Sequence, residues 1–454
     1  MKRVHFISIG GSVMHSLAIE LKRIGFTVTG SDDVIYEPSK SSLINNDLYP
    51  EKLGWYESKI TDDLDFVILG MHAKPDNSEL KLAKHKKIKI YSFPEFIFEH
   101  SKNKTRVVIA GSHGKTTISS MILHVLKDNS KRADYVLGAK IEGLSNSVSL
   151  SQKNEFIVIE GDEYLSSRIN NVPKFHVYQP NIALISGISW DHINVFPTFN
   201  IYKNQFKIFI DKIVNGGVLI YNNKDLEILS LLDGNQNYIR KIPYTEHNFL
   251  IRDGRFFIET DEGLLPLKIF GKHNMENLSA AKQVCNLIGL KDDQFYNSIT
   301  SFKGASNRLE IVQTNSTRTV IKDFAHSPSK LIASIDAVKS NFKVDLLAVY
   351  ELHTFSSLDE KFQNEYEGCF DSCDYPVIFI DKLNPKLKNR RFDEESLKKS
   401  FKNDRIVFKY DKDELNDYLL NFKVPKICLL LMSSGKFGGL DIGLIGKNFC
   451  SHVN

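Results

Sequence analysis

The sequence predicts an α/β protein of three domains, on the strength of three strand-to-helix junctions. An apolar run at residues 4–9 breaks on Gly10-Gly11 and leads into helical spacing over 13–24. A second run at 107–110 breaks on Gly111 and leads into a helix from 116 to about 127. A third, at 319–324, follows a hinge at 304–310 and leads into a helix over 328–338. Short apolar runs that stop at a turn and change to a 3.6-residue period are the rhythm of parallel sheets flanked by helices. A chain of 454 residues has room for several domains of ~100–200 residues. The expected borders are 1–103, 104–305 and 306–454.

Within the first domain, further strands are expected at 27–29, 66–69 and 88–91. The second adds strands at 156–160, 182–186 and 216–221, and a hairpin-rich patch at 249–269 with a turn at Asp253-Gly254. A helix follows over 274–288. The third adds strands at 346–349, 377–380 and 427–432, with helices at 358–369, 394–400 and 414–420. No internal repeat or low-complexity tract interrupts the pattern.

Composition narrows the function class. Hydrophobic residues make up 42% and charged residues 25%, enough for a core without cross-links. Lys and Arg number 59 against 55 Asp and Glu, so a concentrated basic face for nucleic acid is not supported. The five cysteines are scattered and suit a reducing compartment; Cys369 and Cys373, four apart, read as buried thiols because no second pair completes a metal site. A strand begins almost at the first residue, which leaves no room for a leader, and no apolar run reaches ~18 residues. A cytoplasmic protein with no membrane partner is expected, as a monomer or weak homodimer.

The most informative stretch is Gly111-Ser112-His113-Gly114-Lys115-Thr116-Thr117. A glycine-rich turn between a buried strand and a helix aims backbone N–H groups and a helix N-terminus at one point, which suits a phosphate chain. Lys115 supplies charge for the terminal phosphates and Thr116 a hydroxyl for a metal. The loop is shorter than the usual pattern, with Val108 where a first glycine would stand. At the next strand end, Glu160-Gly161-Asp162-Glu163-Tyr164 places oxygen ligands suited to Mg, although a solvated acidic turn would read the same way. Ser189-Trp190-Asp191-His192 ends another strand. Asn274 and Asn277 open a helix, where Asn caps the end or reads a base.

Taken in order with Ala305-Ser306-Asn307-Arg308-Leu309-Glu310 and Asp323-Phe324-Ala325-His326-Ser327-Pro328-Ser329, these motifs resemble the Mur ligase family over nearly the whole chain. The family's enzymes are amide-forming ligases of peptidoglycan synthesis. The resemblance implies ATP and Mg2+ as cofactors, and an acyl phosphate that an amine then displaces. It implies a Rossmann-like UDP-sugar domain, a central phosphate-loop ATPase domain, and a C-terminal α/β domain for the amine. It assigns catalytic roles to Lys115, Glu163 (or Glu160) and His192, with Thr116, Glu163 and His192 on metal. The ATP residues are Gly111, Ser112, His113, Gly114, Lys115, Thr116, Thr117, Asn274, Asn277, Arg308 and Asp323. Many members carry a carbamylated lysine where this chain has Phe206, flanked by Lys203 and Lys207, so no carbamate is expected.

In the first domain, Gly10, Gly11 and Ser12, with Ser31, Asp32 and His72, look like a site for UDP-N-acetylmuramate; the turn lacks the third glycine that a dinucleotide site needs. For the amine, the segments at 351–358 and 431–440 look like those of the family branch that takes the tripeptide L-alanyl-γ-D-glutamyl-meso-diaminopimelate, and the resemblance puts His326, Ser433, Ser434 and Lys436 near it; a glycine-rich turn at 433–439 can offer backbone N–H groups to a peptide carboxylate. L-Alanine is the alternative amine. A nucleotide-gated binding protein without ligase chemistry is the alternative of another class.

Overall fold

A computed structural model describes residues 2–451 apart from 139, 140, 142, 145, 168–170, 253, 385, 386 and 388–392. The chain forms two compact units: Met1–Ile188 with Asn200–Thr245 and Ala280–Phe295, and Ser189–Phe199 with Glu246–Ser279 and Tyr296–Asn454. The α/β class holds in both.

The first unit carries two sheets. Four parallel strands lie in the order Thr27–Ser31, Arg3–Ile7, Phe66–Leu69, Lys89–Ser92. Ile7, Val67, Leu69, Leu80 and Ala83 pack as one of its cores. The helix Phe93–Ser101 starts on a capping box in which Ser92 and Glu95 satisfy each other's backbone N–H groups. The second sheet has seven strands, and Thr105–Ala110 sits between Phe156–Glu160 and Ile182–Ile185, all parallel. Val107, Val108 and Ile109 are fully buried, each stabilising the strand by about 1.5–3 kcal/mol. The result is a rigid floor whose C-terminal edge gathers three loops.

The two sheets of this unit are clasped through the helix Met14–Arg23. Glu20, buried, accepts the Leu150 N–H, while Arg23 grips the same carboxylate through two bonds of 2.6 Å and reaches the Leu150 carbonyl at 3.2 Å. The Ser147 hydroxyl meets that of Ser16 at 2.9 Å.

In the second unit, Phe249–Arg252, Arg255–Thr260 and Gly263–Pro266 make an antiparallel meander. The expected hairpin is there; Asp253 of its expected turn lies outside the described residues. A six-stranded sheet follows in the order Glu310–Thr314, Arg318–Asp323, Ile427–Met432, Asp345–Glu351, Tyr375–Phe379, Val407–Lys409. All its pairs are parallel except the first. Leu347, Val349, Val377, Leu429 and Leu431 form its core with Phe437 and Phe449.

One expected helix is corrected. Residues 358–369 carry apolar side chains at helical spacing, but the α-helix runs only over Glu360–Gln363 and tightens into a 3-10 turn over Asn364–Tyr366. Asp359 caps its start, and Gly368 at φ +73° turns the chain away. Strands Asp134–Val136, Arg240–Tyr244, Glu310–Thr314 and Val407–Lys409 are additions to the expected set. Among the described residues, no helix is long and apolar enough to cross a membrane.

Candidate functional site

The phosphate loop forms at the C-terminal edge of the seven-stranded sheet. Gly111 has φ +122°, and a Cβ there would lie 2.2 Å from the Ser186 hydroxyl, so only glycine fits. Gly114 at φ +76° is the N-cap of the helix Lys115–Asp128. The Ser112 N–H donates to the Gly187 carbonyl at 2.9 Å, and Ser186 donates to the His113 carbonyl. These bonds tie the loop to the strand end beside it.

Lys115 points back over this loop. Its ammonium donates to the Gly111 carbonyl at 2.5 Å and to a Glu163 oxygen at 2.8 Å. Burial alone would lower its pKa; the carboxylates of Glu163, Asp162 and Glu160 outweigh that and raise it, so Lys115 is charged at neutral pH. The other Glu163 oxygen accepts the Tyr202 hydroxyl at 3.1 Å, and Tyr202 meets the Ser112 hydroxyl at 2.8 Å. Tyr202 is fully buried and joins the loop to the acidic strand end. Asp162 is engaged elsewhere, with Lys174 at 2.6 Å.

Phe206, at the position where no carbamylated lysine is expected, lies on the helix Phe199–Asp211. Phe206 packs edge-on against Tyr202 and Phe175 at 5.3 and 5.4 Å, an apolar place with no ammonium. Lys203 pairs with Glu227 at 2.5 Å, and Lys207 is exposed.

In the four-stranded sheet, the Gly10 N–H donates to an Asp32 oxygen at 2.8 Å. A Cβ on Gly10 would lie 2.8 Å from the Ile35 side chain and 3.0 Å from an Asp32 oxygen, so a larger residue there would have to displace those side chains. Burial, partly offset by the Gly10 N–H, pushes the Asp32 carboxyl up to about 6. Ser31 accepts Lys59 at 3.0 Å, Gly11 and Ser12 line the turn, and His72 is exposed.

The second unit gathers the remaining expected residues. Asn274 donates to the Phe270 carbonyl at 2.7 Å, and Asn277 to Asn274 at 3.2 Å. Asp323 is a staple for the hinge: it accepts N–H groups of Leu309 and Ala325 and the Ser334 hydroxyl at 2.8, 3.1 and 2.6 Å. Arg308 lies over the Phe324 ring at 4.3 Å. His326 is half-buried, with its ring donating to the Phe324 carbonyl at 2.8 Å and its carbonyl accepting Tyr350 and Tyr366; desolvation and the Lys330 ammonium push its pKa down to about 3. Asp191 accepts the His192 N–H at 2.8 Å and Lys330 at 3.3 Å.

The turn at 433–439 is organised differently from the expectation. Ser433 donates to Glu351, the Phe437 N–H donates to the same carboxylate at 3.0 Å, and the Gly435 N–H donates to Ser433 at 2.6 Å. Two of the backbone donors expected to face a peptide are thus spent inside the turn. Ser434 bonds His353 at 3.1 Å, and Lys436 is exposed.

Oxygen donors of Thr116 and Glu163 beside a phosphate loop fit a hard divalent cation. Among the described residues no group of three His, Cys, Asp or Glu forms a metal cage, which is compatible with a cation held mainly by substrate phosphates and water.

A model described as "Mur ligase family, catalytic domain" matches residues 3–105, and one described as "Mur ligase middle domain" matches 109–285. A UDP-N-acetylmuramate--L-alanine ligase of Caldicellulosiruptor bescii is 31% identical over 402 residues, 86% of each chain. One from Carboxydothermus hydrogenoformans is 29% identical over 98% of this chain and 97% of its own. A crystal structure of a UDP-N-acetylmuramate:L-alanyl-gamma-D-glutamyl-meso-diaminopimelate ligase from Neisseria meningitides has a TM-score of 0.59 at 25% identity, covering 67% of this chain and 98% of that one.

Proposed function

Because this chain belongs to the Mur ligase family of ATP-dependent, ADP-forming ligases, we propose that it joins the carboxylate of UDP-N-acetylmuramate to an amine, in the cytoplasm and with Mg2+. The observation that carries this is the Lys115–Glu163 pair of 2.8 Å on a loop built for phosphate. Each residue neutralises the other while substrates are absent. With ATP bound, phosphate oxygens would replace Glu163 on Lys115, and Glu163 with Thr116 would hold the cation, which would supply charge neutralisation.

In the reaction, a carboxylate oxygen bonds to the γ-phosphorus as the bond to ADP breaks. The amine nitrogen then bonds to the acyl carbon, phosphate leaves and the nitrogen loses a proton. Lys115 and the loop N–H groups stabilise charge on the transferred phosphoryl group, and no protein nucleophile is involved.

For the amine, L-alanine is the reading that the curated relatives favour, since both carry that name over 86–98% of this chain. The tripeptide L-alanyl-γ-D-glutamyl-meso-diaminopimelate is the second reading, favoured by the likeness to the Neisseria structure. The 433–439 turn gives the tripeptide less support than its composition suggested, because its Gly435 and Phe437 donors are occupied. Offering UDP-N-acetylmuramate, ATP and Mg2+ with both amines in competition, and weighing the product by mass spectrometry, decides between them. A product heavier by one alanine supports the first reading, and a tripeptide adduct the second. ATP binding with neither product overturns the ligase proposal for this chain.

A further inference from the structure

We propose that Lys330 is a positioning residue for His192, acting through the carboxylate of Asp191; this rests on reading His192 as a ligand of the catalytic cation. Asp191 is buried and its two oxygens are divided. Oδ1 accepts the His192 N–H at 2.8 Å, and Oδ2 receives the Lys330 ammonium at 3.3 Å, with the His326 Nε2 at 3.9 Å. His192 has φ +56°, a left-handed backbone that costs a non-glycine residue of order 1–3 kcal/mol unless its surroundings impose it. The Asp191 carboxylate fixes its amide side. The Val195 and Phe196 N–H groups, both donating to the His192 carbonyl at 2.8 and 2.9 Å, fix the other. Trp190 completes the loop by donating to the Phe196 carbonyl at 3.0 Å and resting edge-on against Phe362 at 5.5 Å.

Lys330 stands in the first turn of the helix Pro328–Phe342, 139 residues beyond Asp191. It supplies positive charge to the buried carboxylate. It also neighbours the ring of His326, whose Nε2 accepts from the ammonium at 3.4 Å. Removing the ammonium leaves Asp191 buried with its main compensating charge gone, and rotation of that carboxylate toward water would release the His192 amide. Lys330 is therefore placed to tie the metal-side loop to the sheet region that carries the amine-side turn.

The test compares Lys330→Met, Lys330→Arg and His192→Ala. Mn2+ binding to protein loaded with a non-hydrolysable ATP analogue is read by electron paramagnetic resonance, and Mg2+ dependence by phosphate release. Lys330→Met should weaken Mn2+ binding by about 10-fold or more, raise the Mg2+ requirement in parallel and leave the KM for UDP-N-acetylmuramate unchanged; Lys330→Arg should restore most of the affinity. In an Asp191→Asn background, Lys330→Met should change Mn2+ affinity less than about twofold, because the relay is already broken. Unchanged Mn2+ affinity in Lys330→Met beside a weakened His192→Ala overturns the role of Lys330. Unchanged affinity in His192→Ala removes His192 from the metal and overturns the reading on which the proposal rests. A full Lys330→Met effect in the Asp191→Asn background overturns the route through Asp191.

Discussion

The Lys115 ammonium lies 2.8 Å from a Glu163 oxygen, so the residue suited to hold phosphate and the residue suited to hold a cation neutralise one another. Lys115→Met should lower kcat by about 10²–10³-fold, the scale of losing one charged donor at the transferred group. Phosphate release under saturating substrates measures it, with circular dichroism confirming the fold. Turnover within tenfold of wild type would remove Lys115 from the chemistry.

Tyr202→Phe deletes the hydroxyl that bridges Ser112 and Glu163. Both partners are buried, so the loss should destabilise the protein by about 1–3 kcal/mol. Urea unfolding provides the number. A midpoint identical to wild type would show that neither partner depends on Tyr202.

Asp32 gives a pH signature. Its pKa is raised to about 6 by burial against an ordinary value of 3.8, so between those values the folded protein binds the extra proton. Its contribution to stability is present at low pH and is lost as pH rises from about 4 through about 6. Asp32→Asn should flatten that part of the stability profile and weaken UDP-N-acetylmuramate binding, as seen by thermal melts across pH and by calorimetry. A wild-type slope that persists in the variant would assign it to another group.

Glu351→Ala strips the acceptor from Ser433 and from the Phe437 N–H. Unpaired buried donors cost about 1–3 kcal/mol. If the 433–439 turn faces the amine, the KM for the amine should rise while those for ATP and UDP-N-acetylmuramate stay level. Equal changes in all three would place the turn outside the amine site.

The phosphate loop was legible because its logic is local: glycines, lysine and hydroxyls stand in seven consecutive residues between a strand and a helix. Strand ends were legible for the same reason. The partners that complete the site were not. Tyr202 reaches Ser112 and Glu163 across 90 and 39 residues of sequence, and its helix reads as an ordinary apolar face. Lys330 reads as a surface lysine until Asp191 is found beside it. Glu351 shows the converse: the composition of the 433–439 turn offers backbone donors, and the carboxylate that organises the turn consumes one of them.

The Glu20 clasp bears on how such enzymes can be recombined. A chimaera that grafts a different four-stranded module ahead of the seven-stranded sheet inherits the Leu150 N–H and carbonyl that Glu20 and Arg23 satisfy. Without a carboxylate and a guanidinium at those two positions, the graft exposes an unsatisfied strand edge at the seam. The exchangeable piece is thus defined by this seam as much as by the strand order on either side.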